Sequence, residues 1–400
     1  MKKNKIIIIG GGYAGIRALE KLSKDKSNEI ILFDERPYHY MQTEVYGFIA
    51  NENDFSKITV DLSTLTAGFD AHVSFYKQKV TAIDFDAKKV ITQEQSYEYD
   101  YVIVAVGSRT KFFDSIVGLK KYAHGIKALY RALYFKQKFE LSLLNKIEEE
   151  GTHCNALNII IAGAGLSGVE IAAQMASFSR EFYKENNFLC KKLNIVLIDA
   201  YERILPGIDD FLAEASIERL KELEVIIKDG CKVIEVTQES VHLSTGEILP
   251  VDFMIFTGGI EPKELVYNLD VPKDKRGHIA INEYMQIEGH ESAYALGDCA
   301  GLYTEGVLVA PTADVAEQMA ELCAKNIINS THNRALMKQK IASRGILIAL
   351  GRRYAVGKLF GFYVNGYLGY LMKKMVERVY SKRLFFRSGR GSKKIFSKDL

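Results

Sequence analysis

Tryptophan is absent from the 400 residues, and proline and cysteine are sparse, with six and five residues respectively. So few prolines, without a low-complexity tract, argue against long disordered linkers. The cysteines are odd in number and widely spaced, with no Cys-x-x-Cys pair and no cluster with histidine. This spacing excludes a disulfide scaffold and a zinc centre, so we expect free thiols in a reducing compartment and no metal site. They are Cys154, Cys190, Cys231, Cys299 and Cys323.

Long hydrophobic runs are also missing. Residues 6–9 are apolar but too few for the core of a signal peptide. The longest uncharged run of the C-terminal segment, residues 359–372, has 14 residues, whereas a spanning helix needs about 20. We therefore expect neither an export signal nor a transmembrane helix.

Charge of one sign is concentrated at the C-terminal end, although the net charge is only +3. Residues 331–400 carry 17 Lys and Arg against Glu377 and Asp399, a net of +15, which leaves −12 for residues 1–330. A chain of this length is expected to form two or three domains. The basic tail on an acidic body calls for an anionic partner.

Two similar strand-turn-helix-strand units are present. In the first, residues 5–9 predict a buried strand, residues 13–22 a helix and residues 29–33 a second strand that ends at Asp34. In the second, the strands are residues 157–162 and 193–198, the helix is residues 169–175, and the acid is Asp199. Here the acid follows the last glycine by 31 positions because residues 178–192 are inserted.

Each unit carries a dinucleotide-binding fingerprint at its turn. The first glycine permits the tight turn, the second lets the backbone approach a pyrophosphate, and the third lets helix and strand pack closely. An acid at the end of the next strand suits a ribose diol and repels a 2′-phosphate, which favours NADH, although Arg203 near Asp199 leaves NADPH open. The two turns are Gly10-Gly11-Gly12-Tyr13-Ala14-Gly15 and Gly163-Ala164-Gly165-Leu166-Ser167-Gly168.

The segments between and after the units complete the predicted fold. Residues 73–85 and 89–92, and later 225–236 and 241–249, alternate as antiparallel strands do. Gly107, Gly258 and Asp298 come at strand ends, and residues 312–328 predict a helix. The expected fold class is α/β, with two Rossmann-like (three-layer ββα) domains and a C-terminal helical membrane-association segment. The expected boundaries are residues 1–112 with 275–330, residues 113–274, and residues 331–400.

These residues resemble the two-dinucleotide-binding-domain flavoproteins, the FAD/NAD(P) pyridine nucleotide-disulfide oxidoreductase superfamily. Residues 38–46 and 200–207 look like segments of its type II NADH:quinone oxidoreductases. The resemblance implies non-covalent FAD and NADH as a substrate. The residues implied for FAD are Gly10, Gly11, Gly12, Tyr13, Ala14, Gly15, Asp34, Glu35, Val80, Ala105, Gly107 and Asp298. Those implied for NADH are Gly163, Gly165, Leu166, Ser167, Gly168, Asp199 and Gly258, with Glu170 near the nicotinamide.

The acceptor side departs from this family. Its members read Ala-Gln-x-Ala-x-Gln beside the flavin, where this chain has Ala313-Asp314-Val315-Ala316-Glu317-Gln318. We expect Glu170, Asp314 and Gln318 to orient substrates or supply protons. Hydride transfer from NADH to FAD and then two electrons to a quinone, without proton pumping, is the predicted reaction. A sulfide- or other-donor:quinone oxidoreductase, a soluble ferredoxin- or rubredoxin-type reductase and a non-catalytic redox-sensing flavoprotein stay open.

The C-terminal segment predicts a basic amphipathic helix. Apolar residues recur at helical spacing from Val364 to Val379, with Lys373, Lys374, Glu377, Arg378 and Ser381 opposite. We expect residues 360–400 to lie on an anionic membrane at the cytoplasmic side as a peripheral anchor. Deletion from about Phe360 should then leave the flavin bound. A helix packed on the protein is the alternative, a homodimer stays open, and nucleic acid is not expected because no recognition fold accompanies the charge. The residues expected at the lipid headgroups are Tyr363, Tyr367, Tyr370, Tyr380, Lys382, Arg383, Arg387, Arg390, Lys393 and Lys394.

Overall fold

The structure of the chain is a computed structural model that describes residues 3–70, 72–148, 156–185 and 193–396, without the side chains of residues 147, 185 and 389–396. Cys154 and Cys190 lie outside the described residues, as does the end of the inserted segment. So do the side chains of Arg390, Lys393 and Lys394.

A six-stranded sheet forms the centre of the part of the fold that carries the first glycine turn, called the first half below. Its middle strand, Asn4–Ile9, is buried from Ile6 to Ile9, because both faces of the sheet are covered. Parallel pairing with both neighbours sets Ile6 opposite Ile30 on one side and Tyr101 on the other. In spatial order the strands are Gln286–Ile287, His290–Ala295, Tyr101–Val104, Asn4–Ile9, Asn28–Asp34 and Val73–Lys77.

A five-stranded parallel sheet forms the centre of the part of the fold that carries the second glycine turn, called the second half below. Leu157–Ala162 is its middle strand and pairs in register with Leu193–Ile198 from Leu157 opposite Leu193 onward. Both glycine turns thus follow the carboxyl end of a central strand, which is where ligands bind in such sheets. In spatial order the strands are Ala123–His124, Phe253–Phe256, Leu157–Ala162, Leu193–Ile198 and Ile226–Lys228.

Each half also carries a small antiparallel sheet of three strands. The first contains Val80–Asp84, Lys89–Thr92 and Ser96–Glu98, and the second Val233–Val236, Ser240–Leu243 and Ile248–Pro250. The prediction was wrong about one strand in each half. Val73–Lys77 and Ile226–Lys228 pair in parallel at the edge of the large sheets, since alternation along one strand does not reveal the direction of its partner.

The helices cover these sheets and connect them. Helix Tyr13–Leu22 begins and ends as predicted, whereas the helix predicted at residues 169–175 is longer because it continues into the inserted segment as Leu166–Glu185. The other helices are Val45–Ile49, Phe55–Ile58, Leu62–Ala67, Leu119–Tyr122, Leu129–Glu148, Asp210–Glu222, Glu264–Asn268, Ala313–Thr331 and Gly366–Phe396, with 3-10 turns at Gln42–Glu44 and Gly297–Cys299.

Short paired strands complete the architecture. They are Tyr38–Tyr40 with Thr59–Asp61, Ser108–Thr110 with Ile260–Pro262, Ile279–Ala280 with Ala300–Gly301, and Tyr303–Thr304 with Val307–Leu308.

The C-terminal segment contains a sheet that the sequence did not predict. Its strands, Gly345–Ala349, Ala355–Leu359 and Phe362–Val364, are antiparallel and precede the long helix Gly366–Phe396. This C-terminal helix packs closely against the rest of the chain. An added Cβ at Gly68 would meet the carbonyl oxygen of Arg387 at 2.3 Å, and one at Gly369 would meet that of Ala355 at 2.3 Å.

Candidate functional site

The two glycine turns have the same backbone geometry. Gly10 and Gly163 have φ angles of +111° and +108°, which favour glycine. An added Cβ at Gly15 or Gly168 would lie 1.8 Å from the carbonyl oxygen of Gly10 or Gly163. The third glycine of each turn is therefore required for helix and strand to approach.

The middle glycine of each turn faces open space. An added Cβ at Gly12 or Gly165 would meet no described atom within 4 Å. Gly12 precedes helix Tyr13–Leu22 without a side-chain cap, so the amide groups of the first helical turn are available to an anion. This is the cradle that a pyrophosphate needs.

The acids at the strand ends bind the turns directly. The N–H of Gly11 donates to Oδ2 of Asp34 (2.7 Å), and the N–H of Ala164 donates to Oδ2 of Asp199. The second oxygen of each acid accepts from the N–H of Arg36 (2.8 Å) or Tyr201 (2.9 Å). Each carboxylate therefore also orders its own loop.

One large cleft runs between the halves. Its volume is about 1030 Å³, and it is lined by residues of both glycine turns, of the loop before helix Leu129–Glu148, and of the C-terminal segment. Tyr46 joins the halves at the cleft, since its hydroxyl lies 2.8 Å from Oγ of Ser167.

The cleft gathers most of the predicted site residues. From the FAD set it is lined by Gly10, Gly11, Gly12, Tyr13, Ala14, Asp34, Glu35, Val80, Ala105, Gly107 and Asp298. From the NADH set and the acceptor side it is lined by Leu166, Ser167, Glu170 and Asp314. The predicted residues outside its lining are Gly15, Gly163, Gly165, Gly168, Asp199, Gly258 and Gln318.

Asp298 has two partners that the sequence analysis missed. Nζ of Lys127 lies 2.6 Å from Oδ2 of Asp298, and the hydroxyl of Ser108 donates to the same oxygen at 2.7 Å. Burial acts to raise the pKa of Asp298, but the Lys127 ammonium and the Ser108 hydroxyl outweigh it and hold the pKa below its usual value. Asp298 is therefore an ionised acceptor on the cleft wall.

Glu170 is buried beside the cleft and contacts the C-terminal segment. Its Oε1 accepts from the N–H of Ala349 (2.8 Å) and from Nζ of Lys373 (2.5 Å). Burial raises the pKa of Glu170, and Lys373 opposes that rise. The sequence placed Lys373 only on one face of the C-terminal helix. Its pairing with Glu170 was not predicted, because no sequence pattern connects residues 203 positions apart.

Two more acids lie behind this pair. Burial raises the pKa of Glu44 to about 7, and burial likewise raises that of Glu52 to about 7. Both face the lysines Lys373 and Lys374 and the carboxylate of Glu377 across a small cavity. Glu44 and Glu52 are therefore two further carboxyl groups that can hold a proton, and both lie outside the lining of the cleft.

Comparison with known proteins agrees with this geometry. The sequence pattern of the pyridine nucleotide-disulphide oxidoreductase family matches residues 4–333. The chain belongs to this family. The type II NADH:quinone oxidoreductases of Staphylococcus saprophyticus and Staphylococcus aureus are 25% and 26% identical, with 94% of each chain covered. The predicted resemblance to proteins of that name is confirmed.

Solved structures show the same fold at lower identity. The structure of NDH2 from Plasmodium falciparum in complex with NADH superposes with a TM-score of 0.83 at 20% identity, covering 96% of this chain and 97% of that one. The sulfide:quinone oxidoreductase of Aquifex aeolicus has a TM-score of 0.79 at 19% identity, covering 97% and 92%. These likenesses confirm the predicted α/β fold class.

The family is named after a disulphide. The N-terminal part of this chain cannot form one, because no cysteine precedes Cys154. Cys299 and Cys323 are fully buried. Burial raises the pKa of Cys299 to about 11 and that of Cys323 well above its usual value. Both are thiols packed in the core.

The segment 313–318, which was predicted to lie on the acceptor side, is organised around Asp314. Its Oδ2 accepts from Nε2 of Gln318 (2.9 Å) and from the N–H of Arg344 (2.9 Å). Gln318 is buried and also donates to the carbonyl of Ala342 at 2.8 Å. Gln318 thus lies behind Asp314, which alone of the two lines the cleft.

The C-terminal helix turns its apolar face outward. Leu368 is 60% exposed and Val379 65% exposed, whereas Lys373, Tyr380 and Leu384 face the protein. In the described part of the chain, no helix is long and apolar enough to cross a membrane. The other exposed apolar residues of this surface are Phe360, Phe362, Tyr367, Leu371, Met375, Val376, Phe385 and Phe386.

The placement of three predicted headgroup residues was wrong. The hydroxyl of Tyr380 is 2.9 Å from Nε2 of His39, inside the protein. Arg383 pairs with Glu317 at 2.5 Å, and Arg387 lies 3.8 Å from Glu20. Acids of the body, which the sequence could not place, hold these cations.

Proposed function

We propose that the protein is an FAD-dependent oxidoreductase that takes a hydride from NADH and passes two electrons to a membrane quinone, without pumping protons. The observation that carries this proposal is one cleft that is lined by the first glycine turn and by Leu166 and Ser167 of the second. Its volume of about 1030 Å³ lies at the upper end of the roughly 300–1,000 Å³ of ligand pockets. The chemistry that FAD supplies when bound is two-electron transfer between the nicotinamide and the acceptor, while the protein supplies placement.

The first glycine turn suits FAD. Gly12 leaves open space for a pyrophosphate, and the helix that follows presents its N-terminus there. Asp34 is placed for a ribose, and Asp298, ionised beside Lys127, can accept from the hydroxyls of a polyol. These contacts are non-covalent, so the proposed FAD is a non-covalently bound cofactor.

The second glycine turn suits NADH. Gly165 is open in the same way as Gly12, and the carboxylate of Asp199 disfavours a 2′-phosphate. Arg203 donates to Oδ1 of Asp210, so its guanidinium group is paired with a carboxylate and is not directed at a phosphate. Both features favour NADH over NADPH.

Four side chains serve the protons and the acceptor in this proposal. Glu170 and Lys373 form a buried acid-base pair on the cleft wall, which can hold a proton within reach of bound substrates. Asp314 is the polar group on the acceptor side. Gln318 acts through Asp314 as a positioning residue, because it donates to that carboxylate from behind.

The outward apolar face of the C-terminal helix supports attachment to a membrane. Such a face lies in the interface of a bilayer with its apolar side chains among the acyl chains. Lys382 is exposed beside it and can reach anionic headgroups. We propose a peripheral protein on the cytoplasmic side of the cell membrane, with the quinone entering the cleft from the bilayer.

An anaerobic titration tests the reaction. Purified holoprotein mixed with NADH should lose its oxidised flavin absorbance, and a soluble quinone added afterwards should restore it. Sulfide and NADPH serve as control donors and should act far more slowly. If NADH fails to bleach the flavin, or if only sulfide does so, the proposed donor is wrong.

Sedimentation with anionic liposomes tests the membrane surface. The double variant Leu371→Glu/Val379→Glu should bind at least about tenfold more weakly, since burial of each apolar side chain contributes about 1.5–3 kcal/mol. Val117→Glu, which changes an exposed apolar residue elsewhere, is the matched control and should sediment like the wild type. Equal sedimentation of all three proteins would reject this surface.

A further inference from the structure

Both backbone polar groups of Gly11 are bound by side chains, the N–H of the peptide before it and the C=O of the peptide after it. The N–H of Gly11 donates to Asp34, and the carbonyl oxygen of Gly11 lies 2.8 Å from Nδ1 of His39. A carbonyl oxygen can only accept, so Nδ1 carries the proton and Nε2 is an acceptor. The hydroxyl of Tyr380, 2.9 Å from Nε2, therefore donates to it.

This chain of hydrogen bonds joins the C-terminal helix to the first glycine turn. Tyr380 donates to His39, and His39 donates to Gly11, across 341 and 28 residues of sequence. His39 is fully buried, and Tyr13 of the turn packs edge-on against it with ring centres 5.1 Å apart. Tyr13 also lies 5.1 Å from the ring of Tyr380. The three rings form one cluster, in which His39 is buried and the two tyrosines are partly buried.

The orientation of the next amide follows from peptide geometry. A trans peptide points its C=O and N–H in opposite directions, and no cis peptide occurs among the described residues. Holding the carbonyl of Gly11 toward His39 therefore turns the N–H of Gly12 away from His39. Gly12 lines the cleft, whereas His39 and Tyr380 do not.

Ion pairs hold the same helix face in place. Arg383 lies 3.3 Å from Glu20, which belongs to helix Tyr13–Leu22 directly after the turn, and 2.5 Å from Glu317. Leu384 is fully buried in the core of the first half. The inner face of the C-terminal helix is thus attached to the elements that form the first turn.

We propose that Tyr380 and His39 are positioning residues for the flavin nucleotide: they set the Gly11–Gly12 peptide so that its amide faces the pyrophosphate, which makes the C-terminal helix part of the flavin site. This inference rests on the proposed binding of FAD at the first turn. It replaces the expectation that deletion from about Phe360 leaves the flavin bound, because that deletion removes Tyr380, Arg383 and Leu384.

FAD affinity of the reconstituted apoprotein tests this inference. Tyr380→Phe keeps the ring and removes only the hydroxyl, and should raise the dissociation constant for FAD about threefold to tenfold, as expected for one hydrogen bond. Tyr367→Phe, on the exposed outer face of the same helix, is the matched control and should bind FAD like the wild type. The dissociation constant for NADH should be the same in all three.

A second pair of variants separates positioning from general stability. His39→Gln keeps an N–H that can donate to Gly11, whereas His39→Leu does not, so His39→Gln should bind FAD more tightly than His39→Leu. The increase in melting temperature on adding FAD reports the same difference, because a ligand stabilises the fold according to its affinity. This increase should shrink in Tyr380→Phe and His39→Leu.

The outcomes are distinguishable. If wild-type apoprotein binds no FAD, the proposed function fails and this inference fails with it. If the wild type binds FAD but Tyr380→Phe and His39→Leu bind it equally well, only the positioning role is wrong. A lower melting temperature of the apoproteins with unchanged FAD affinity would likewise reject it, since the residues would then act on folding alone.

Discussion

The two glycine turns are alike in backbone but differ in what holds them. In both, a strand-end acid accepts from the N–H of the second residue, Gly11 or Ala164. The carbonyl of Ala164 accepts from the backbone N–H of Leu205 at 2.8 Å, with no side chain involved. The carbonyl of Gly11 instead depends on His39 and, through it, on Tyr380. A nucleotide site can therefore draw its support from the far end of a chain.

We therefore expect the two nucleotide sites to differ in their sensitivity to substitutions in the C-terminal helix. Changes at Tyr380 and Arg383 of the C-terminal helix are expected to reach the first turn and to leave the second unaffected, whereas Lys373 of that helix contacts Glu170 near the second turn. The proposed membrane surface is the outer face of the same helix. Attachment to lipid and retention of flavin thus share one structural element.

The largest expected effect comes from the third glycine of each turn. Gly15→Ala and Gly168→Ala would each drive a methyl group into a carbonyl oxygen at 1.8 Å, where backbone must move. We expect Gly15→Ala to be purified without flavin, and Gly168→Ala to keep its flavin but to lose bleaching by NADH. The ratio of flavin to protein absorbance and an anaerobic NADH titration measure the two outcomes.

Gly12→Ala provides the control for that pair. An added Cβ there meets no described atom within 4 Å, so the fold should be kept while the methyl group occupies the approach to the backbone. A variant Gly15→Ala with normal flavin content would contradict the assignment of the first turn.

The strand-end acids should have the next largest effect. Asp34→Asn and Asp199→Asn each weaken a charged hydrogen bond to a loop N–H, a change of about 1.5–3 kcal/mol. We expect FAD affinity to fall about tenfold to a hundredfold in the first, and the KM for NADH to rise by a similar factor in the second. Each variant is the control of the other, and crossed effects would show that the acids do not serve separate nucleotides.

Acid should destabilise the fold through His39, which binds the first turn. Burial lowers the pKa of His39 to about 4, below the ordinary 6.5, so the unfolded chain binds the proton more readily. Stability is therefore lost as the pH falls from about 6.5 toward 4, by about 2 kcal/mol between pH 6.5 and 5. The groups facing His39 are Tyr13, Tyr380 and Arg383.

Thermal unfolding of wild type and His39→Gln across this pH range measures that loss. The melting temperature of His39→Gln should fall less steeply as the pH is lowered, because glutamine does not titrate. Glu44 and Glu52, whose pKa values burial raises to about 7, act in the opposite direction in both proteins. Parallel pH profiles for the two proteins would show that His39 contributes nothing to acid sensitivity.

The smallest effects are expected at the exposed cations near each acid. Arg203 pairs with Asp210, and Lys263 lies 3.7 Å from Glu35. Such exposed pairs contribute about 0.2–1 kcal/mol. Arg203→Ala and Lys263→Ala should change the KM for NADH and the affinity for FAD, respectively, by less than about threefold. A marked loss of NADPH use in Arg203→Ala would show that Arg203 binds the 2′-phosphate, which contradicts the proposal.

Much of the site was predictable because its residues are close in sequence. Gly10 and Asp34 are separated by one helix, and Gly163 and Asp199 by another, so the spacing of a known structural unit brings them together. Lys127 and Lys373 were missed as site residues, since neither lies in a motif, and Tyr46 was recognised only as the end of the segment 38–46 and not as a contact between the halves. Asp314 was identified, but its bond to the N–H of Arg344 was not.

The sequence by itself determined the two nucleotide units, because buried strands, glycine spacing and strand-end acids act over short ranges of chain. It also determined that the C-terminal helix is amphipathic. Only the tertiary structure decided that this helix turns its apolar face outward and turns Lys373, Tyr380 and Arg383 inward. The reason is that the partners of the inner face, Glu170, His39 and Glu20, lie hundreds of residues away, and helical periodicity says nothing about such partners.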